Sequence, residues 1–102
     1  MESNSAIRSL AALAQEHRLA LFRLLVRAGP AGLAAGRIAD ALGLANSSLS
    51  HHLSQLHEAG LIAQRREGRS LIYSADYAAM ERLLGFLTEN CCAGEQCLAP
   101  SA

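Results

Sequence analysis

Apolar residues recur at spacings of three and four along most of the chain, and this period is typical of α-helices. Between residues 7 and 28 the apolar stripe is interrupted near Glu16, so we expect two helices that meet there, with one bent helix as the alternative. A third, short helix is predicted over residues 34–42, and Gly43 ends its pattern. The first part of the chain is therefore expected to hold three helices.

A tight turn over residues 42–46 separates this third helix from a fourth one. The fourth helix is predicted over residues 47–59, with Asn46 or Ser47 as its cap and Gly60 as its end. Two short helices joined by a turn that contains glycine are typical of a helix-turn-helix unit, whose second helix enters the major groove of DNA.

The outer face of the fourth helix carries short polar side chains instead of the paired Glu and Lys of a helix that is merely solvated. Ser, Asn and Gln side chains can reach base edges or phosphate oxygens, and His can donate to phosphate. The candidate DNA-contacting residues of this helix are Asn46, Ser47, Ser48, Ser50, His51, His52 and Gln55. An ordinary polar surface is the alternative interpretation of this face.

Two short extended runs, residues 61–66 and 70–74, flank a turn that contains glycine, and together they predict a β-hairpin. Arg65, Arg66 and Arg69 lie beside this turn. Cations at the tip of a hairpin suit a wing that lies along the DNA backbone or enters the minor groove. A helix-turn-helix followed by a basic hairpin is a more specific signal for DNA binding than either feature alone.

A last helix is predicted to begin after Asp76 and to end near Asn90. This order of elements predicts a mainly α (α+β) fold, a winged helix-turn-helix whose wing is a two-stranded β-hairpin. At 102 residues the chain is long enough for one such domain. We assign residues 1–90 to DNA binding and dimerisation, and residues 91–102 to a tail that contains all three cysteines.

The net charge is zero, but the charges are unevenly distributed. Residues 1–45 carry five Arg and three acids, residues 46–75 three Arg and two acids, and residues 76–102 one Arg and four acids. A weakly basic body suits a dimer with two modest DNA-binding surfaces, and excludes indiscriminate coating of DNA. No apolar run approaches the ~18 residues of a membrane span, and no signal peptide is recognisable, so we expect a cytoplasmic protein.

The run SHHLSQLHEAGLI at residues 50–62, followed by REGR at 66–69 and by Tyr73, resembles the recognition helix and wing of the ArsR/SmtB family. These proteins are dimeric winged-helix repressors that metal ions release from DNA. The resemblance implies a homodimer that binds a palindromic operator in double-stranded DNA, with its first and last helices at the dimer interface. The candidate interface residues are Ile7, Leu10, Leu13, Met80, Leu83, Leu84 and Leu87.

The three cysteines, Cys91, Cys92 and Cys97, form a cluster that favours metal or redox chemistry in a reducing cytosol. The family's two usual sensor sites are missing, because residues 42–46 contain no cysteine and the last helix contains no histidine. The cluster resembles that of an atypical arsenical-responsive branch, which implies As(III) or Sb(III) as the inducer. Three thiolates suit such a soft, three-coordinate ion better than they suit tetrahedral zinc.

Two other functions remain open for these cysteines. A repressor of the same fold could use them as a thiol/disulfide switch that senses oxidants. From a different class, the chain could be a small thiol enzyme or a metalloid carrier. The sequence has no general base beside the cysteines, no oxyanion-type loop and no cofactor motif, so we expect neither an enzyme nor a catalytic cofactor.

Overall fold

The computed structural model describes residues 1–94 of the chain. Its elements are, in order, α1 (Ser3–Leu13), α2 (Glu16–Ala28), β1 (Leu33–Ala34), α3 (Ala35–Leu42), α4 (Asn46–Glu58), β2 (Ile62–Glu67), β3 (Ser70–Ala75) and α5 (Tyr77–Leu87), followed by a 3-10 turn over Cys91–Gly94. The predicted succession of four helices, a hairpin and a final helix is confirmed.

The sheet contains one strand more than predicted. β3 pairs antiparallel with β2, as expected for the hairpin, and also antiparallel with β1, so the strand order is β1-β3-β2. In the second pairing Leu33 lies opposite Tyr73 and Ala34 lies opposite Ile72. A strand of two residues is too short to show an alternating pattern, which is why the sequence predicts only a two-stranded wing.

The predicted side-chain cap of α4 is wrong. Ala45 precedes the helix in an extended conformation, Asn46 and Ser47 are its first two helical residues, and no side chain accepts a hydrogen bond from its first turn. The carbonyl of Ala45 accepts the first helical bond, from the N–H of Leu49 at 3.0 Å. The first turn of α4 therefore keeps backbone N–H groups that can bind an anion such as a DNA phosphate.

The last helix begins where the sequence predicts but ends earlier. The carboxylate of Asp76 accepts a hydrogen bond from the backbone N–H of Ala79 at 3.0 Å and so caps α5. The helix ends at Leu87 rather than near Asn90. Asn90 itself has a φ of 56°, in the left-handed region, where a right-handed helix cannot continue.

A hydrogen bond fixes the first residue of α5 to the last turn of α2. The hydroxyl of Tyr77 donates to the carbonyl oxygen of Val26 at 2.9 Å and lies 3.3 Å from that of Leu25. These two carbonyls belong to the helix end, where intrahelical partners run out. The first side chain of α5 thereby holds the N-terminal end of this helix to α2.

One hydrophobic core holds the helix-turn-helix against the sheet. Its fully buried leucine and isoleucine side chains come from α2, α3, α4 and the start of the wing, and they are Leu21, Leu25, Ile38, Leu49, Leu56 and Leu61. Burial of a side chain of this size contributes about 1.5–3 kcal/mol. α4 supplies more than one of these anchors, so its orientation is set by the core.

The residues predicted for the dimer interface divide into two groups. Ile7, Leu10, Leu84 and Leu87 are exposed large apolar side chains, with 63, 41, 55 and 55 % of their surface accessible, and they form what we call the apolar stripe of α1 and α5. Leu13 and Met80 are half-buried and pack against the core.

Leu83, the remaining candidate for the dimer interface, is buried within its own chain. Leu83 keeps only 6 % of its surface accessible, because it lies one helical turn after the buried Ala79 and faces the interior of its own chain.

Within residues 1–94, no helix is long and apolar enough to cross a membrane.

Gly32 occupies a position that other residues cannot take. Its φ is +72°, and a Cβ built on it would overlap the carbonyl oxygen of Tyr73 on β3. We expect Gly32→Ala to lower the free energy of unfolding by roughly 2 kcal/mol or more. Gly36→Ala is the matched control, since a Cβ there meets nothing within 4 Å. Urea unfolding of both variants measures the difference, and equal stabilities would contradict this account.

Candidate nucleic-acid interface

One side of α4 is apolar and packs in the core, and the opposite side is polar and faces solvent. Leu49, Leu53 and Leu56 are buried at helical spacing, which turns the intervening positions outward. The exposed residues among the sequence-predicted DNA contacts are Asn46, Ser47, Ser48, Ser50, His51 and Gln55. These side chains and the first turn of α4 form one surface that presents hydrogen-bond donors and acceptors to a groove.

His52 does not belong to this surface. Only 9 % of it is accessible, and its ring lies 5.5 Å from the ring of His17 on α2 and 5.5 Å from that of His51. Among the described residues its Nδ1 has no hydrogen-bond partner. Burial, reinforced by the charges of Arg18, His17 and His51, lowers the pKa of His52 below its usual value. The ring is therefore neutral at pH 7 and acts as a packing residue between α2 and α4.

The wing carries two arginines that are available to DNA. Arg66 on β2 and Arg69 in the turn are exposed, and within residues 1–94 neither guanidinium forms a hydrogen bond or an ion pair. Gly68, with a φ of 62°, permits the tight turn that places Arg69 at the tip of the hairpin. The tip of the wing is therefore positively charged.

Arg65 has a different role from the one predicted. Its Nε donates to a carboxylate oxygen of Glu67 at 2.7 Å, and a terminal nitrogen donates to the carbonyl of Ala31 at 2.7 Å. The guanidinium thus joins the wing to the turn that leads into β1 and is not directed at DNA. The sequence does contain a signal, since residues two apart on a strand, such as Arg65 and Glu67, share one face.

Three residues separate the end of α5 from the cysteine cluster. Cys91 and Cys92 are both exposed, and their Sγ atoms are 3.6 Å apart. Cys97, the third predicted ligand, lies outside the described residues. In the described part of the chain, no three His, Cys, Asp or Glu side chains come together as a metal site.

Comparisons with known proteins agree with this geometry. Residues 13–65 match a family model described as a helix-turn-helix domain. The chain is 31 % identical over 98 residues to the transcriptional activator HlyU of Vibrio cholerae, a match that covers 94 % of this chain and 88 % of HlyU. It is 35 % identical over 80 residues to the nodulation protein NolR of Rhizobium meliloti, covering 78 % of this chain but only 63 % of NolR.

A third relative is a protein of Halobacterium salinarum named as a putative arsenical resistance operon repressor, ArsR. It is 42 % identical over 60 residues, which cover 59 % of this chain and 46 % of that protein.

Solved structures show the same architecture. The crystal structure of NolR from Sinorhizobium fredii superposes with a TM-score of 0.69 at 32 % identity, covering 87 % of this chain and 86 % of NolR. A homodimeric winged helix-turn-helix DNA-binding domain from Mycobacterium bovis superposes with a TM-score of 0.67 at 26 % identity, covering 93 and 88 % of the two chains.

Fold, polar recognition face and basic wing define a DNA-binding winged helix-turn-helix protein that regulates transcription rather than an enzyme. The chain belongs to the ArsR/SmtB family of transcriptional regulators.

The free cations of the wing make a prediction about salt dependence. For a DNA duplex that the parent protein binds tightly, Arg66→Ala or Arg69→Ala should lower the affinity. Removing one guanidinium that binds a phosphate should also reduce the slope of log affinity against log salt by about 1. Fluorescence anisotropy over a salt series measures both quantities. Arg23→Ala, on the exposed side of α2, is the control that should leave the slope unchanged. If both wing variants keep the parental slope, the hairpin does not contact DNA.

The buried ring of His52 makes a prediction about pH. Its folded-state pKa lies below the unfolded value of 6.5, so the unfolded chain binds a proton more readily. The stabilisation from a neutral His52 is complete above pH 6.5 and is lost as the pH falls through the folded-state pKa.

We expect His52→Gln to flatten the decline in the free energy of unfolding between about pH 7 and pH 5. His57→Gln, at an exposed position of the same helix, is the control and should keep that decline. Urea unfolding at a series of pH values tests this, and identical pH profiles for His52→Gln and the parent would refute it.

Proposed function

We propose that this regulator is a repressor that binds a palindromic operator as a homodimer and leaves it when As(III) or Sb(III) binds its C-terminal cysteines. The observation that carries the metalloid part is the 3.6 Å distance between the Sγ atoms of Cys91 and Cys92. With metal–sulfur bonds of ~2.3 Å, the length of zinc–thiolate bonds, this distance corresponds to an S–ion–S angle of about 100°. Such an angle suits a pyramidal ion with three thiolate ligands.

The apolar stripe of α1 and α5 supports the homodimer. Four large apolar side chains exposed on two helices that contact each other are more than a small monomer normally leaves in water. The Mycobacterium bovis domain with the same fold is described as homodimeric. A two-fold axis through this stripe would present two α4 helices to major grooves one turn of DNA apart, ~34 Å, which requires a palindromic operator.

The position of the cysteines supports coupling to DNA. Only three residues separate Cys91 from Leu87, the last residue of α5 and a member of the apolar stripe. An ion that joins the end of α5 to Cys97 in the tail therefore acts on the dimer interface, and through it on the distance between the two α4 helices. A coupling of about 1–3 kcal/mol lowers operator affinity 5- to 150-fold.

The exposure of Cys91 and Cys92 also favours a second candidate function. Exposed sulfurs 3.6 Å apart are suited to oxidation as well as to metalloid binding. In this alternative, peroxide oxidises two thiols to a disulfide and is reduced to water, and the disulfide rather than an ion changes the end of α5.

Operator binding by cysteine variants tests the proposal. Arsenite should release the parent from its operator, and Cys91→Ser, Cys92→Ser or Cys97→Ser should each abolish that response, because a hydroxyl is a poor ligand for a soft ion. DNA binding without inducer should stay unchanged, since the cysteines lie outside the helix-turn-helix. Anisotropy with arsenite, antimonite, zinc and peroxide in separate titrations gives the measurement.

The possible outcomes separate the two functions and the roles of the individual cysteines. Release by peroxide but not by arsenite would establish the redox switch in place of metalloid sensing. If all three Ser variants still respond to arsenite, the cysteines are not the sensor. If Cys97→Ser alone still responds, Cys91 and Cys92 form the complete switch at the end of α5.

A further inference from the structure

A cleft of about 210 Å³ lies between α1, α5 and the C-terminal end of α4. Arg8 and Arg82 line it from α1 and α5, and Ser5 and Ser9 contribute hydroxyl groups. The residues that follow α4 close its remaining side. The cleft is separate from both the wing and the cysteines, so nothing in the proposed function accounts for it.

The two arginines of the cleft lack acidic partners. Arg8 and Arg82 are exposed, and within residues 1–94 neither guanidinium forms an ion pair or a hydrogen bond. Two guanidinium groups at one small cleft create a positive potential that attracts anions. Guanidinium also binds phosphate and carboxylate groups in a bidentate geometry.

Ser9 adds a hydroxyl group to the lining of the cleft. Only 3 % of this residue is accessible, and its hydroxyl forms no hydrogen bond to any of the described residues. The hydroxyl oxygen itself still reaches solvent, because His52 Nδ1 is the one buried side-chain polar atom without a partner in the described part of the chain. Because Ser9 lines the cleft, a group that enters the cleft can accept the hydrogen bond that this hydroxyl offers.

The cleft faces away from the apolar stripe. Successive residues of a helix are rotated by about 100°. Arg82 comes two residues before Leu84, and Arg8 comes two residues before Leu10, so each arginine lies roughly opposite an exposed apolar side chain of its own helix. Dimerisation through the stripe therefore leaves the cleft open, while the same two helices line both surfaces.

We propose that this cleft is an effector site for a small oxyanion, a phosphate or a carboxylate group, held by Arg8, Arg82 and Ser9. Its volume is below the ~300–1,000 Å³ of pockets for drug-sized ligands, which favours a small anion. A bound anion joins α1 and α5 to the end of α4, the recognition helix, and so links the dimerisation helices to DNA binding. This site is independent of the cysteines.

Thermal unfolding of the full chain with inorganic phosphate and, separately, with acetate tests the proposal at constant ionic strength. One of the two anions should raise the unfolding midpoint saturably, as a ligand of the folded state does. Arg8→Gln and Arg82→Gln should each abolish that rise, and Arg23→Gln, an exposed arginine of α2 outside the cleft, should retain it. Whether phosphate or acetate raises the midpoint shows whether the site binds a phosphate or a carboxylate group.

Operator binding with the effective anion at saturation should change about fivefold or more in the parent and remain constant in Arg82→Gln. If an arginine variant does not unfold cooperatively, Ser9→Ala replaces it, because it keeps both charges and removes only the hydroxyl. The absence of a saturable rise in the parent, or an equal rise in the cleft variants, would overturn the site. A rise without any change in operator affinity would overturn its role as an effector site.

Discussion

The packing of α4 against the core is the constraint on which the DNA-binding surface depends. Leu49, Leu53 and Leu56 are buried, and no rotation of the helix can expose one of them without opening the core. The polar residues between them therefore have one possible direction, towards solvent. Because the same leucines contact the elements around them, hydrophobic burial positions the wing relative to α4. A hydrogen bond from the N–H of Leu61 to the carbonyl of Leu56, at 3.1 Å, adds to it.

Much of this arrangement can be predicted, because apolar residues spaced three and four apart identify the helices. The helix order, the hairpin and the exposed face of α4 follow from apolar spacing and turn residues. His52 is misassigned although its spacing is informative, since it lies three residues after Leu49 and four before Leu56, on the inner face. The prediction places His52 on the outer face because its side chain is polar, and does not use its spacing from the buried leucines. Residue type indicates what His52 could do, whereas helical period indicates where it lies.

Other features depend on contacts between distant parts of the chain, which no local pattern records. Arg65 lies next to Arg66 in sequence, and its contact with the carbonyl of Ala31, 34 residues away, cannot be read from that neighbourhood. β1 is recognisable only through its pairing with β3. Leu83 and Leu84 are adjacent leucines of one helix, and the sequence alone does not tell burial within the chain from exposure at its surface. Tertiary structure therefore assigns roles among residues that the sequence makes look equivalent.

The hydrogen bond of Tyr77 to the end of α2 holds one end of α5 in place. The helix is fixed at its first residue, and its 11 residues extend about 16 Å to the other end. A tilt of about 10° around this fixed end shifts the far end by about 3 Å, while the first turn hardly moves. Such a tilt moves Leu84 and Leu87 of the apolar stripe, and the packing of Met80 and Leu83 within the chain opposes it.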